Sequence, residues 1–183
     1  MRLGLETGGR WSGRKLAALL LGVAGISATS GCAGSTTEAV KYTGVGVEAS
    51  LEMRAAAAGV AIVDKESEMT HTHTKLSIVV NGEAVEVPAD IGIDRTKQQL
   101  TVLHTHRTDG ILHVESPNSN DTYTLAQFFH LWGIGGGEAD LCQHFLQQPY
   151  CAITITSADQ GVVELGEVLR DGDSLSVDII DMA

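Results

Sequence analysis

Five of the chain's seven histidines stand in two short groups: His71-Thr72-His73, and His104-Thr105-His106 followed by His113. On an extended strand, side chains two residues apart share a face, so each His-x-His can turn two imidazoles toward one point. Imidazole nitrogens suit first-row transition metals, copper and zinc above all. Three of them converging from a rigid hairpin form a facial site that leaves a position for water or a carboxylate. The spacing therefore assigns a divalent transition metal to His104, His106 and His113. Glu115, two residues past His113, is a candidate fourth ligand or a general base. His71 and His73 are candidate outer ligands if their strand runs beside the second group. The plainer reading of one His-x-His is surface composition, and that of the larger group is a buried hydrogen-bonded network. His130 and His144 lie apart and read as ordinary surface residues.

Two hairpins must position these side chains. Across residues 72–80, Leu76, Ile78 and Val80 alternate with polar neighbours, and Asn81-Gly82 follows as a two-residue turn. That turn pairs Val80 with Glu83, Val79 with Ala84, Ile78 with Val85, Ser77 with Glu86 and Leu76 with Val87, until Pro88 ends the strand. The second hairpin takes residues 100–106 and 111–115 as strands around Arg107-Thr108-Asp109-Gly110. A four-residue loop pairs His106 with Ile111, His104 with His113 and Val102 with Glu115, all on one face. By parity His104 and His106 join Leu100 and Val102 on the buried side, where an imidazole needs a partner.

A helix follows. Thr124 and Gln127 have capping-box spacing, Leu125, Phe128, Phe129 and Trp132 form an apolar stripe, and Gly133 suits the stop. Gly135-Gly136-Gly137 reads as a connector, not a phosphate loop, since no strand leads into it and no Lys follows. A second helix is expected over residues 139–147, with strands over 151–156 and 174–180. The order predicts an α+β domain, two hairpins and further strands in a mainly antiparallel sheet with a packed helix, β-grasp-like in arrangement.

The start of the chain reads differently. Arg10, Arg14 and Lys15 precede an apolar run over residues 16–26, and small residues lead to Cys32. This is a secretory signal pattern, too short to span a bilayer comfortably. The residues before Cys32 resemble a bacterial lipobox, with Thr29 where that motif usually has Leu. The expected division is a signal peptide over residues 1–31, a lipid anchor at Cys32 with a tether to residue 58, and one α+β domain over 59–183. A cleaved, secreted form is the alternative. Residues 51–58 have the composition of two helical turns stopped by Gly59. Cys142 and Cys151 are expected to form a disulfide in an oxidising compartment.

Composition limits the partners. The chain has 183 residues, 23 acidic against 12 basic, and a formal net charge of −11. A nucleic-acid-binding surface would need a basic patch, so nucleic acid is not an expected partner. Apolar residues make up 43%, enough for one buried core. The first 31 residues hold four basic groups and one acid, so the remainder carries 8 basic and 22 acidic residues.

Residues 71–133, about a third of the chain, resemble an uncharacterised family of exported or membrane-anchored prokaryotic proteins. The resemblance rests on His71-Thr72-His73, Val87-Pro88-Ala89-Asp90-Ile91-Gly92-Ile93, Leu103-His104-Thr105-His106, the stretch 111–117 (ILHVESP) and the helix 124–133 (TLAQFFHLWG). Arg107 stands where the family often has Asp, and Ala126 where it often has Gly. The resemblance implies an exported domain and carries no reaction. The leading expectation is an extracytoplasmic lipoprotein domain that binds copper or zinc through its histidines. A metal-dependent enzyme using Glu115 as base is the second reading, and a metal-free interaction module is the third. A protein partner is not identified.

Overall fold

The structure is a computed structural model that describes residues 48–67 and 69–182. The expected leader, Cys32 and the tether up to residue 47 lie outside the described residues. The elements run α1 (Leu51–Ala58), β1 (Ile62–Val63), β2 (Thr70–Val80), β3 (Glu83–Val85), β4 (Ile93–Asp94), β5 (Gln99–Thr101), β6 (Leu103–His104), β7 (Ile111–Ser116), α2 (Leu125–Trp132), α3 (Glu138–Leu146), β8 (Ala152–Ser157), β9 (Gly161–Val163) and β10 (Ser174–Ile180). The fold is α+β. Among the described residues no helix is long and apolar enough to cross a membrane.

The larger sheet runs β6-β7-β2-β10-β8-β9, with β3 also on β2, and the smaller runs β1-β5-β4. Every pairing is antiparallel except β2 with β10. The first hairpin has the expected turn and register: Val80 faces Glu83, Val79 faces Ala84 and Ile78 faces Val85. Asn81 and Gly82 both take positive φ, at 51° and 86°, which this turn demands. The strand β3 stops at Val85, so the ladder does not reach the expected pairs at Glu86 and Val87.

Helix α2 closes one face. The Thr124 hydroxyl accepts from the Gln127 N–H, and the Gln127 side chain accepts in turn from the Thr124 N–H at 2.9 Å. Gly133 stops the helix in the left-handed region. Leu125, Phe128 and Phe129 are fully buried, in a core with Leu76, Ile78, Leu112, Val114 and Val177. Each such side chain contributes about 1.5–3 kcal/mol by leaving water. Helix α1 packs against α2 and buries Leu51, Ala55 and Ala58, although its residues fall within the span expected to be tether. In α3, Asp140 accepts from the Gly137 N–H, and Cys142 bonds Cys151 just before β8.

The second hairpin differs from its expectation. Residues 100–106 are not one strand. Leu100 and Thr101 pair into the smaller sheet with β1 and β4, and only Leu103 and His104 pair with β7. The break falls at Val102, whose N–H donates to the Ala61 carbonyl while its own carbonyl accepts from Glu115 at 2.7 Å. Beyond β6 the chain leaves the sheet. The Thr105 N–H donates to Ile91 and its carbonyl accepts from Asp90, so His106 does not pair with Ile111, which pairs with Lys75 instead.

Candidate metal centre

The strand β7 lies between β6 and β2, and that order assembles the histidines. His113 is directly opposite His104 on one side and His73 on the other, while Glu115 is opposite His71. Paired residues share a face, so His71, His73, His104, His113 and Glu115 project together. Leu112 and Val114 project the other way, into the core. The parity expected for His104 was therefore misplaced. The strand restarts after Val102, Leu103 takes the core face with Val114, and His104 takes the opposite one. His104 is nevertheless fully buried, because the segment at Gly92 lies over it: a Cβ on Gly92 would come within 3.1 Å of His104 Cβ.

The donor atoms are close. His71 Nε2 and His73 Nε2 lie 3.1 Å apart, as do His104 Nε2 and His106 Nε2. Glu115 Oε1 is 3.3 Å from both His71 Nε2 and His113 Nδ1. The His113 ring stands between the two pairs, with its centroid 4.6 Å from His73 and 4.5 Å from His106. These six residues form two sets whose donors all lie within 4.8 Å of one another. One set is His71, His73, His113 and Glu115; the other is His104, His106, His113 and Glu115. Both sets are close enough to hold a metal ion.

The surroundings prepare the ligands. His104 Nδ1 lies 2.8 Å from the Thr101 carbonyl oxygen, which can only accept. Nδ1 therefore carries the proton and Nε2 presents its lone pair toward His106, an arrangement typical of metal-ligating histidine. His113 Nδ1 is buried without a hydrogen bond, since its 3.3 Å approach to Glu115 lacks the alignment of one. An unsatisfied buried donor or acceptor costs about 1–3 kcal/mol, which a ligand would offset. Burial pulls the His104 imidazole down to about 4, the Thr101 hydrogen bond opposing it. Burial, and then the neighbouring imidazoles led by His106, take His113 to about 4 as well. The Glu115 carboxyl is only 3% exposed and is raised, first by burial and then by the charge of Glu66.

Glu66 is a member the sequence reading missed. Its Oε1 is 3.5 Å from His106 Nε2, and it reaches the cluster from the loop after β1, where neither spacing nor motif marks it. Glu66 and His106 also line a cleft of about 310 Å³ with Asp94 and Arg95. His130 and His144 stand elsewhere. His130 packs against Gly136, and His144 makes ring contacts with Trp132 and Phe145. No family model, curated protein or solved structure matches the chain.

Proposed function

We propose that this protein is an extracytoplasmic, membrane-anchored domain that binds a divalent transition metal through His104, His106, His113 and Glu115, joined by His71 and His73. The observation that carries the reading is the convergence of five imidazoles and a buried carboxylate from three adjacent strands and the segment just after β6. Imidazole with carboxylate suits zinc and copper(II) better than a soft, sulfur-preferring ion. Export and lipid attachment at Cys32 rest on the basic and apolar residues before that cysteine. The bonded Cys142–Cys151 pair supports an oxidising compartment.

A second reading, metal-dependent catalysis, is favoured by the cleft beside His106, which offers room for a small polar substrate next to the cluster. Glu115 would then serve as ligand or base.

The test is the metal affinity of the tag-free full chain, titrated with zinc and copper(II) against a competing chelator. We expect binding tighter than micromolar, and a weakened or lost equivalent in His104→Ala/His106→Ala. A parent chain that binds neither ion at micromolar concentration would falsify the reading.

A further inference from the structure

One first-row ion binds its ligands at about 2.0–2.2 Å, so even ligands on opposite sides of it stand only about 4.4 Å apart. The six donors here do not form a single set within 4.8 Å; they form two sets that overlap at His113 and Glu115. Each outer pair is already drawn together, with 3.1 Å between its Nε2 atoms. From this geometry we infer that the cluster is a dinuclear centre, with one ion on His71 and His73, a second on His104, His106 and His113, and the Glu115 carboxylate shared between them.

The inference rests on the metal-binding reading above and extends it in number and in chemistry. A carboxylate has two oxygens and lone pairs enough for two ions. Glu115 is placed for that role: it belongs to both sets, and its Oε1 lies 3.3 Å from His71 and 3.3 Å from His113. The strand order explains the symmetry. β7 supplies the central pair, β2 on one side supplies one His-x-His, and β6 with the residue two beyond it supplies the other. His104 is fully buried, whereas His71 and His106 keep 35% and 33% of their side chains exposed, so both ions keep coordination positions open to solvent on that side. Paired ions about 3.5–4 Å apart bind bridging oxygen ligands well. The ligand class expected at the open side is therefore a small oxyanion or a metal-bound water.

Copper(II) serves as the probe, because two copper(II) ions sharing a carboxylate couple their spins. The tag-free full chain is loaded stepwise while bound copper and the electron paramagnetic resonance intensity are both measured. We expect two ions per chain. The second should produce a signal smaller than two isolated ions give, or a half-field transition. His71→Ala/His73→Ala and His104→Ala/His106→Ala should each retain one ion with an uncoupled signal, and circular dichroism checks that each variant is folded. The coupling measurement needs no variant. A single ion at saturation overturns the dinuclear assignment and leaves the metal-binding reading intact. Two ions with full, independent signals overturn the shared Glu115. No ion at all overturns both.

Discussion

The metal-stripped chain should lose stability as the pH falls from 7 to 5, and the loss should come chiefly from His104 and His113. In the native state each imidazole titrates at about 4, against 6.5 when freely solvated. Between those values the unfolded chain binds protons that the folded chain refuses, so stability falls with pH across that window. For one such group the linkage relation gives about 2 kcal/mol lost between pH 7 and pH 5. His113 keeps 17% of its side chain exposed, and part of its shift comes from His104, so the pair is worth less than twice that. We expect about 2–3 kcal/mol, a large part of the 5–15 kcal/mol that holds a typical domain. Glu115 acts in the opposite sense: its raised carboxyl contributes stability below the unfolded value, and that contribution is lost as pH rises through the folded one. The lowered carboxyls at Asp90, Asp94 and Asp109 lose their contribution only below this window. His130 and His144 are also lowered by burial and add a slope of the same sign. The readout is therefore a difference. Urea midpoints are measured with chelator at pH 7, 6 and 5 for the parent and for His104→Gln/His113→Gln. The parent midpoint should drop by roughly 0.7–3 M, given a slope of about 1–3 kcal/mol per molar urea, and the variant should drop much less. Equal drops in the two proteins would refute the claim that these imidazoles are held neutral by burial.

Two further outcomes follow from the packing. Gly92→Ala places a Cβ at φ +79°, within 2.6 Å of the Leu103 carbonyl oxygen and 3.1 Å of His104 Cβ; strain and overpacking together should cost about 2–4 kcal/mol, with weaker copper binding, both measurable on one preparation. Reduction of Cys142–Cys151, which are nine residues apart in the chain, should cost about 2–3 kcal/mol in a urea melt while metal affinity stays unchanged, because the bond ties α3 to the start of β8 and neither borders the cluster.

What the sequence disclosed was mainly what is local. The Asn81-Gly82 turn sets the register of β2 and β3, and the capped stripe from Thr124 to Gly133 becomes α2, because both signals span only a few residues. The pairing of His104 with His113 was also legible, since their separation and the turn at Gly110 admit it. The neighbourhood of β2 and β7 was not. It joins residues about 40 apart, and nothing near His71 or His73 states which strand edge they will meet. The break at Val102 escaped for a similar reason: alternation runs through it, but the Ala61 carbonyl and the Gly92 segment capture the backbone from outside. Glu66 was invisible because a loop delivers it by conformation and not by periodicity.

The alternation along β7 gives the domain a division of labour. Leu112 and Val114 belong to the core, whereas His113 and Glu115 belong to the cluster, and the two series interleave within one six-residue strand. Substitutions on one face therefore leave the packing of the other largely untouched. A descendant of this protein can change which ion it selects, or abandon metal altogether, by altering odd-numbered positions while the even-numbered ones keep the sheet seated on α2. The scaffold is in that sense retoolable: its binding chemistry can drift without first dismantling its architecture.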